Sequence, residues 1–323
     1  MVDQKQKVQT ALECWYLTGA TASGKTSVSI QLAKKLDAEI ISLDSMAIYR
    51  EMDIGTAKPP ISQRQNIPHH LIDICNPSET FSVSQYRDMA IDTIVDAKKR
   101  GKQVLVVGGT ALYLKALLRG MFDGPPADWD FRNQIQEDIE KFGSELIHKR
   151  LEAIDPISAH NLHPNDHRRI IRALEVFKMT GQPISHLQKE FDQGTPAEEC
   201  KVFTLRHPRP VLHQRIEERV DQMFEAGLVD EVHQLLENWD NLSHTALQAV
   251  GYKEAIGHVQ KQIGLDDAIE QVKIRTRRFA RHQETWFRGL SECQIIDLDA
   301  GFEPEFIAER LLEIGSGRTM NRE

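Results

Sequence analysis

At 323 residues, with 40% hydrophobic and 27% charged positions, the chain has the balance of an ordinary globular protein and the length for about two domains. It contains no run of about 18 apolar residues, and its polar start (Met-Val-Asp-Gln-Lys-Gln-Lys) has no apolar signal core, so no membrane association and a cytoplasmic location are expected. A net charge of −8 argues against a nucleic-acid partner if it is evenly spread, and Cys14, Cys75, Cys200 and Cys293 are too scattered for a disulfide framework or a zinc cluster.

The N-terminal third alternates short apolar, β-rich runs with helical patterns, the signature of a parallel sheet with crossover helices. Strands are predicted at Cys14–Thr18, Glu39–Leu43, Leu71–Ile74 and Gln103–Val107. Before the last of these, Ser82 and Gln85 form a capping-box pattern. Val83, Tyr86, Ala90, Ile94 and Ala97 then recur at helical spacing up to Gly101, a C-cap residue. The turn-rich stretch Gly120 to Asp130 marks a boundary, and Trp129 to Phe191 is helical in pattern throughout. Further downstream, Val202–Leu205 and Gln294–Leu298 extend the sheet, and a helix opens at Pro210 and closes near Gly227. The tail from Gly315 to Glu323 is expected to fray. The predicted fold class is therefore α/β, a P-loop NTPase-like parallel sheet flanked by helices. Residues 1–125 and 200–323 form the core, and an all-α insertion spans 126–199.

Between the first strand and the following helix, Gly19-Ala20-Thr21-Ala22-Ser23-Gly24-Lys25-Thr26 fits G-x-x-x-x-G-K-[ST]. The glycines let backbone N–H groups and a helix N-terminus point at phosphate oxygens, Lys25 adds a point charge, and the Thr26 hydroxyl can ligate Mg²⁺. The motif does not reveal which phosphate compound binds.

Asp44 closes the second strand, so it should face this loop, because ligands of open α/β sheets bind beyond the carboxyl ends of the strands. A helix N-cap, a Mg²⁺ ligand and a general base all suit an aspartate there. The Leu105-Val106-Val107 strand ends in Gly108-Gly109-Thr110 without the carboxylate an ordinary P-loop hydrolase uses to hold Mg²⁺ and position water, which weakens an ATPase reading. The paired glycines suit either close approach of a ligand or a tight turn. Arg215 and Arg219, four apart on one helix face, could reach a diphosphate or lie solvated beside Glu218 and Glu225.

Charge is unevenly distributed. Lys273 to Arg288 carries six basic residues against Glu284 alone, so the segment is +5 and the rest of the chain −13. Its arginines alternate with Phe279, Trp286 and Phe287, a pattern that can hold RNA by phosphate contact and base stacking, unless the aromatics are core. Arg168, Arg169 and Arg172 form a second basic group, suited to phosphate contacts or to a solvated helix face. His163 and His167 have the spacing of a metal pair, but Pro164 lies between them with no third ligand nearby.

Taken together, the P-loop, Asp44-Ser45, Tyr49-Arg50, Met52-Asp53-Ile54-Gly55-Thr56-Ala57-Lys58-Pro59, Val107-Gly108-Gly109-Thr110, His163-Pro164-Asn165-Asp166, Val250-Gly251-Tyr252 and Gln283 to Arg288 closely resemble the bacterial tRNA dimethylallyltransferase family, from about Tyr16 to Leu298. The resemblance implies transfer of a dimethylallyl group from dimethylallyl diphosphate to N6 of the adenosine 3′ of the anticodon, with Mg²⁺ as cofactor. Its partners would be the tRNA anticodon stem-loop and dimethylallyl diphosphate, acting on a monomer. It implies that Asp44 is the base, that Thr21 lies near the bridging oxygen, and that Arg219 stabilises the departing diphosphate held by Gly19 to Thr26. By the same resemblance Asp44, Ser45, Met46, Ala47, Thr110, Arg168, Arg169, Arg172, Gln248, Gly251, Tyr252, Lys253, Arg277, Arg281, Gln283, Trp286 and Arg288 belong to segments that touch tRNA. Met46-Ala47-Ile48 stands where the family often has a small residue followed by Gln-Val, and Arg281-His282-Gln283 where Lys-Arg-Gln is usual. The competing readings are an adenylate isopentenyltransferase acting on free nucleotides, a small-molecule kinase, and a non-enzymatic RNA-binding module.

Overall fold

The structure, a computed structural model, describes residues 4–122, 124–188 and 194–317. In chain order the elements begin with α1 (Gln4–Leu12), β1 (Trp15–Gly19), α2 (Lys25–Leu36), β2 (Ala38–Ser42), β3 (His69–His70), α3 (Val83–Lys99), β4 (Gln103–Gly108) and α4 (Ala111–Arg119). Next come α5 (Trp129–Phe142), α6 (Ser144–Ile154), α7 (Pro156–Asn161), α8 (His167–Thr180) and α9 (Ile184–Leu187). The chain returns through β5 (Val202–Arg206), α10 (Arg209–Glu225), α11 (Leu228–Asn238), α12 (His244–Leu247), α13 (Tyr252–Val259), α14 (Leu265–Arg288), β6 (Cys293–Asp297) and α15 (Pro304–Gly315). No described helix is long and apolar enough to cross a membrane.

Two compact units result, residues 1–118 with 194–323 and residues 119–193. The first holds a six-stranded, all-parallel sheet in the order β3-β2-β4-β1-β5-β6. Strand β1 is central and buried along its length because its residues serve two layers. Tyr16, Val104, Val106 and Val202 pack with Tyr86, Ile94 and Leu114 of α3 and α4 on one face, whereas Trp15, Leu17, Leu105 and Phe203 pack with Val28, Leu32, Ile307 and Leu311 of α2 and α15 on the other. Truncating fully buried Phe203 to Ala should cost about 3–5 kcal/mol.

The predicted strand at Leu71–Ile74 is instead β3, two residues earlier. Leu71 and Asp73 have φ of 58° and 56°, left-handed values that no strand can contain, so the apolar side chain of Leu71 reaches the core from a turn. Ser82 does cap α3, accepting from the Gln85 N–H while the Gln85 side chain returns to the Ser82 N–H.

The second unit, α5 to α9, packs around Ile135, Ile139, Ile147, Leu151, Ile170, Ile171 and Leu174. Its pattern is broken at Gly143, at Asp155-Pro156 and between α7 and α8, so it is a small bundle rather than continuous helix. The chain reaches it at residue 119 and leaves at 193, several residues before the expected 126 and 199. The C-terminal boundary is early because Thr195, Ala197 and Cys200 are already tied to the sheet unit through Glu292 and Gln294. Phe191 and the tail beyond residue 317 lie outside the described residues.

Candidate active site

The loop Gly19 to Thr26 joins β1 to α2 and is shaped by backbone that few side chains tolerate. Gly19 has φ 143°, and a Cβ there would lie 2.6 Å from the Leu205 carbonyl oxygen of β5. Gly24, at φ 88°, opens α2, and a side chain on it would meet the Phe302 ring. Ala20 and Ala22 pack against Leu212, Ile216 and Val220 of α10 and Ala280 of α14, which fixes the loop from below. Lys25 turns back over the loop and donates to the Gly19 and Ala20 carbonyls at 3.0 and 2.7 Å. The Ser23 hydroxyl is buried with no hydrogen-bond partner among the described residues. Thr26 is exposed at the start of α2.

Three charged groups share this end of the sheet. Burial pushes the Lys25 ammonium from its ordinary 10.5 down to about 7, Arg219 pushes it the same way, and Asp44 opposes them. Burial also lowers the Arg219 guanidinium, again with Asp44 attracting it and Arg215 repelling it. The mutual effects place Lys25, Arg219 and Asp44 in one field. Arg215, one turn earlier on α10, donates from Nε to the Ala22 carbonyl at 2.8 Å and stacks toward Phe302 at 5.7 Å. Neither arginine pairs with Glu218, which accepts from Gln214, and Arg219 forms no ion pair among the described residues.

Asp44 caps a turn rather than a helix: its Oδ1 accepts from the Met46 and Ala47 N–H groups at 2.8 and 3.3 Å, and Oδ2 has no hydrogen-bond partner among the described residues. The neighbouring strand ends are stitched together. The Thr110 N–H donates to the Leu43 carbonyl at 3.1 Å, and the Thr110 hydroxyl accepts from the Ser45 N–H at 3.0 Å. A Cβ on Gly108 would collide with the Leu43 backbone and one on Gly109 with the Gln283 amide, so the paired glycines admit parts of the protein itself.

The Asp53 to Pro59 run is scaffold. The Asp53 and Ile54 N–H groups donate to one Glu231 carboxylate oxygen at 3.1 and 2.8 Å, and the Tyr252 hydroxyl donates to the other at 2.5 Å. Lys58, buried, bonds Asp53 and Asp73 at 2.7 and 2.6 Å and also the Tyr49 carbonyl. Ile48, Tyr49 and Met52 thereby seat on Leu228, Val232 and Tyr252, holding the Asp44 turn from behind.

Several residues implied to touch RNA have other work here. Gln283 is 7% exposed and both ends of its amide are engaged within the protein, the oxygen accepting from the Thr21 N–H and the nitrogen donating to the Gly109 carbonyl, both at 2.9 Å. Tyr252, Gly251 and Ala47 are buried and Met46 is half-buried, whereas Gln248 and Lys253 are exposed. On α14, Arg277 pairs with Glu217 at 2.5 Å, Lys273 with Asp221 at 2.7 Å, and Arg275 with Glu254. Half of the expected positive charge is thus neutralised. Arg278, Arg281 and Arg288 remain exposed with no ion pair among the described residues, beside exposed Phe279 and Trp286, while Phe287 is core.

Within the helical unit, Arg172 and Arg132 clamp buried Glu175 at 2.5 and 2.8 Å, and Arg169 contacts Asp166 at 3.3 Å. Only Arg168 of that trio is exposed without an ion pair among the described residues. His167 bonds the Ser144 hydroxyl at 2.7 Å, and His163 accepts from the Asn165 N–H at 3.1 Å.

Glu231, Phe302 and the bridging role of Gln283 escape sequence reasoning, because each meets its partner far along the chain with no local pattern.

The family model described as IPP transferase matches residues 47–290. A tRNA dimethylallyltransferase of Rhodopirellula baltica is 49% identical over 286 residues, covering 86% of each chain. One from Geobacter metallireducens is 40% identical over 88% of this chain and 92% of its own. Among solved structures, the tRNA isopentenylpyrophosphate transferase of Bacillus halodurans has TM-score 0.65 at 38% identity, covering 94% and 98% of the two chains. A eukaryotic dimethylallyltransferase acting on tRNA has TM-score 0.76 at 29% identity, over 96% of this chain and 81% of that one. With its P-loop sheet, its Asp53 to Pro59 scaffold and these relatives in agreement, the chain belongs to the IPP transferase family.

Proposed function

We propose that this enzyme transfers the dimethylallyl group of dimethylallyl diphosphate to N6 of the adenosine 3′ of the anticodon in tRNA, releasing diphosphate. The supporting observation is that Asp44 Oδ2, with no hydrogen-bond partner among the described residues, shares one end of the sheet with Lys25 and with Arg219, which makes no ion pair among those residues. The N6 lone pair forms a bond to C1 of the dimethylallyl group while the C1–O bond breaks and its electron pair leaves with diphosphate. The N6 proton passes to Asp44. An exocyclic amine is a poor nucleophile, so a carboxylate that removes the proton as the C–N bond forms lowers the barrier.

Lys25, Arg219 and the loop N–H groups stabilise charge on the departing diphosphate, which peaks as the bond breaks. Thr21, anchored by Gln283 through its N–H, sets its hydroxyl at the bridging oxygen. The exposed Thr26 hydroxyl has no hydrogen bond among the described residues and fits a hard cation, so it would hold Mg²⁺, which would offset diphosphate charge. Because β4 ends in Gly108-Gly109-Thr110, no carboxylate is there to position water, which suits an organic acceptor rather than hydrolysis. Exposed Arg281, Arg288 and Trp286 supply phosphate contact and stacking for the RNA, whose target base must leave its stack to react. Incubation of labelled dimethylallyl diphosphate with bulk tRNA, and separately with AMP and with ATP, tests the reading: label in tRNA supports it, and label in AMP alone or consumption of ATP overturns it.

A further inference from the structure

A cavity of about 220 Å³ lies between the first turns of α10 and the middle of α14, lined by Arg209, His213, Arg277, Arg278, Arg281 and Glu284, with Leu212, Ile274 and Ala280 at its apolar edge. Arg277 is held by Glu217 at 2.5 Å. Arg209, Arg278 and Arg281 are exposed and make no ion pair among the described residues, so three free guanidiniums face one carboxylate. The 17-residue helix α10 starts at this point with Pro208 as its N-cap and no side-chain cap, so its positive end adds to the same field.

Size narrows the occupant. The cavity is smaller than the roughly 300 Å³ at which sites for whole small molecules begin, and its donors are arginines, whose planar forks match phosphate oxygens. Position narrows it further. Arg209 stands ten residues before Arg219 on one continuous helix, about 15 Å along its axis at 1.5 Å per residue. A few nucleotides of single strand span such a distance.

Resting on the reading that RNA is the substrate, we propose that this cavity is a phosphodiester station for the RNA strand a few nucleotides from the reacting adenosine. It takes the backbone, not a base, and therefore positions the strand without reading its sequence.

The test is an Arg209→Ala/Arg278→Ala double variant. Both residues are exposed, so the fold should survive. Binding of an anticodon stem-loop is followed by fluorescence anisotropy across a salt series, and transfer by steady-state kinetics. The station predicts RNA affinity roughly tenfold weaker at low salt, a log–log salt slope shallower by about one to two units, and an unchanged KM for dimethylallyl diphosphate. Arg209→Lys/Arg278→Lys, which restores the charge without the planar fork, should recover the salt slope but only part of the affinity. Unchanged RNA affinity and slope overturn the proposal, as does a rise in the KM for dimethylallyl diphosphate, which would put the cavity in the diphosphate site. Inorganic phosphate that binds the wild type there without competing with RNA also overturns it. If the wild type binds the stem-loop through this cavity but transfers nothing to it, the functional reading fails and the station stands.

Discussion

The side-chain carbonyl of Gln283 accepts the Thr21 N–H at 2.9 Å, linking the phosphate loop to a helix that lies 262 residues away in sequence. Its NH₂ group reaches the Gly109 carbonyl at 2.9 Å, so one amide ties together the ends of β1 and β4. Gln283→Leu leaves both backbone groups without a partner, and each buried group so orphaned costs about 1–3 kcal/mol. The variant should show a lower Tm and a lower kcat with little change in RNA affinity. Loss of RNA binding with unaltered stability would return Gln283 to the RNA surface.

Lys25 gives a pH signature. Its folded pKa of about 7 lies below its ordinary 10.5, so between these values the unfolded chain holds more protons and this group's contribution to stability rises with pH. Diphosphate binding favours the charged ammonium and should reverse the shift. At pH 8, calorimetry in two buffers of different ionisation enthalpy should therefore detect proton uptake on diphosphate binding, and affinity should fall as pH rises through 7. Proton release, or none at all, would place Lys25 outside the diphosphate site.

Much of this site is legible in the sequence, and the physical reason is locality. The phosphate loop, the Ser82–Gln85 cap and most of the strands declare themselves within a few residues, through turn glycines, a four-residue capping pattern and two-sided apolar runs. Leu71 and Asp73 mislead because an apolar residue with positive φ looks like a strand residue in sequence. The pairing of Arg277 with Glu217 and of Arg172 with Glu175 is invisible to a count of charges, which is why the basic runs look more available than they are. Glu231 holds the Asp53–Gly55 backbone from nearly 180 residues away, a contact that only the fold creates.

On α14 the exposed and the paired arginines should behave differently. Arg281→Ala and Arg288→Ala together should weaken tRNA binding and flatten its salt dependence by up to about one unit per lost contact. Arg277→Ala, which breaks a half-buried ion pair with Glu217, should change RNA binding little. Equal effects of all three would mean that the Glu217 pair opens when RNA binds.

Asp44→Asn keeps size and hydrogen bonding to the Met46 N–H but cannot accept a proton. Single-turnover transfer should slow by roughly 10²-fold or more while substrate affinity is retained. A near-normal single-turnover rate would remove Asp44 from the role of base.

Whether the acceptor is a polynucleotide is decided by comparing kcat/KM for an anticodon stem-loop and for free AMP with the same labelled dimethylallyl diphosphate. Contacts remote from the reacting amine position the stem-loop in ways AMP cannot reproduce. The stem-loop should react faster by orders of magnitude; comparable values for the two acceptors would instead assign the enzyme to free nucleotides.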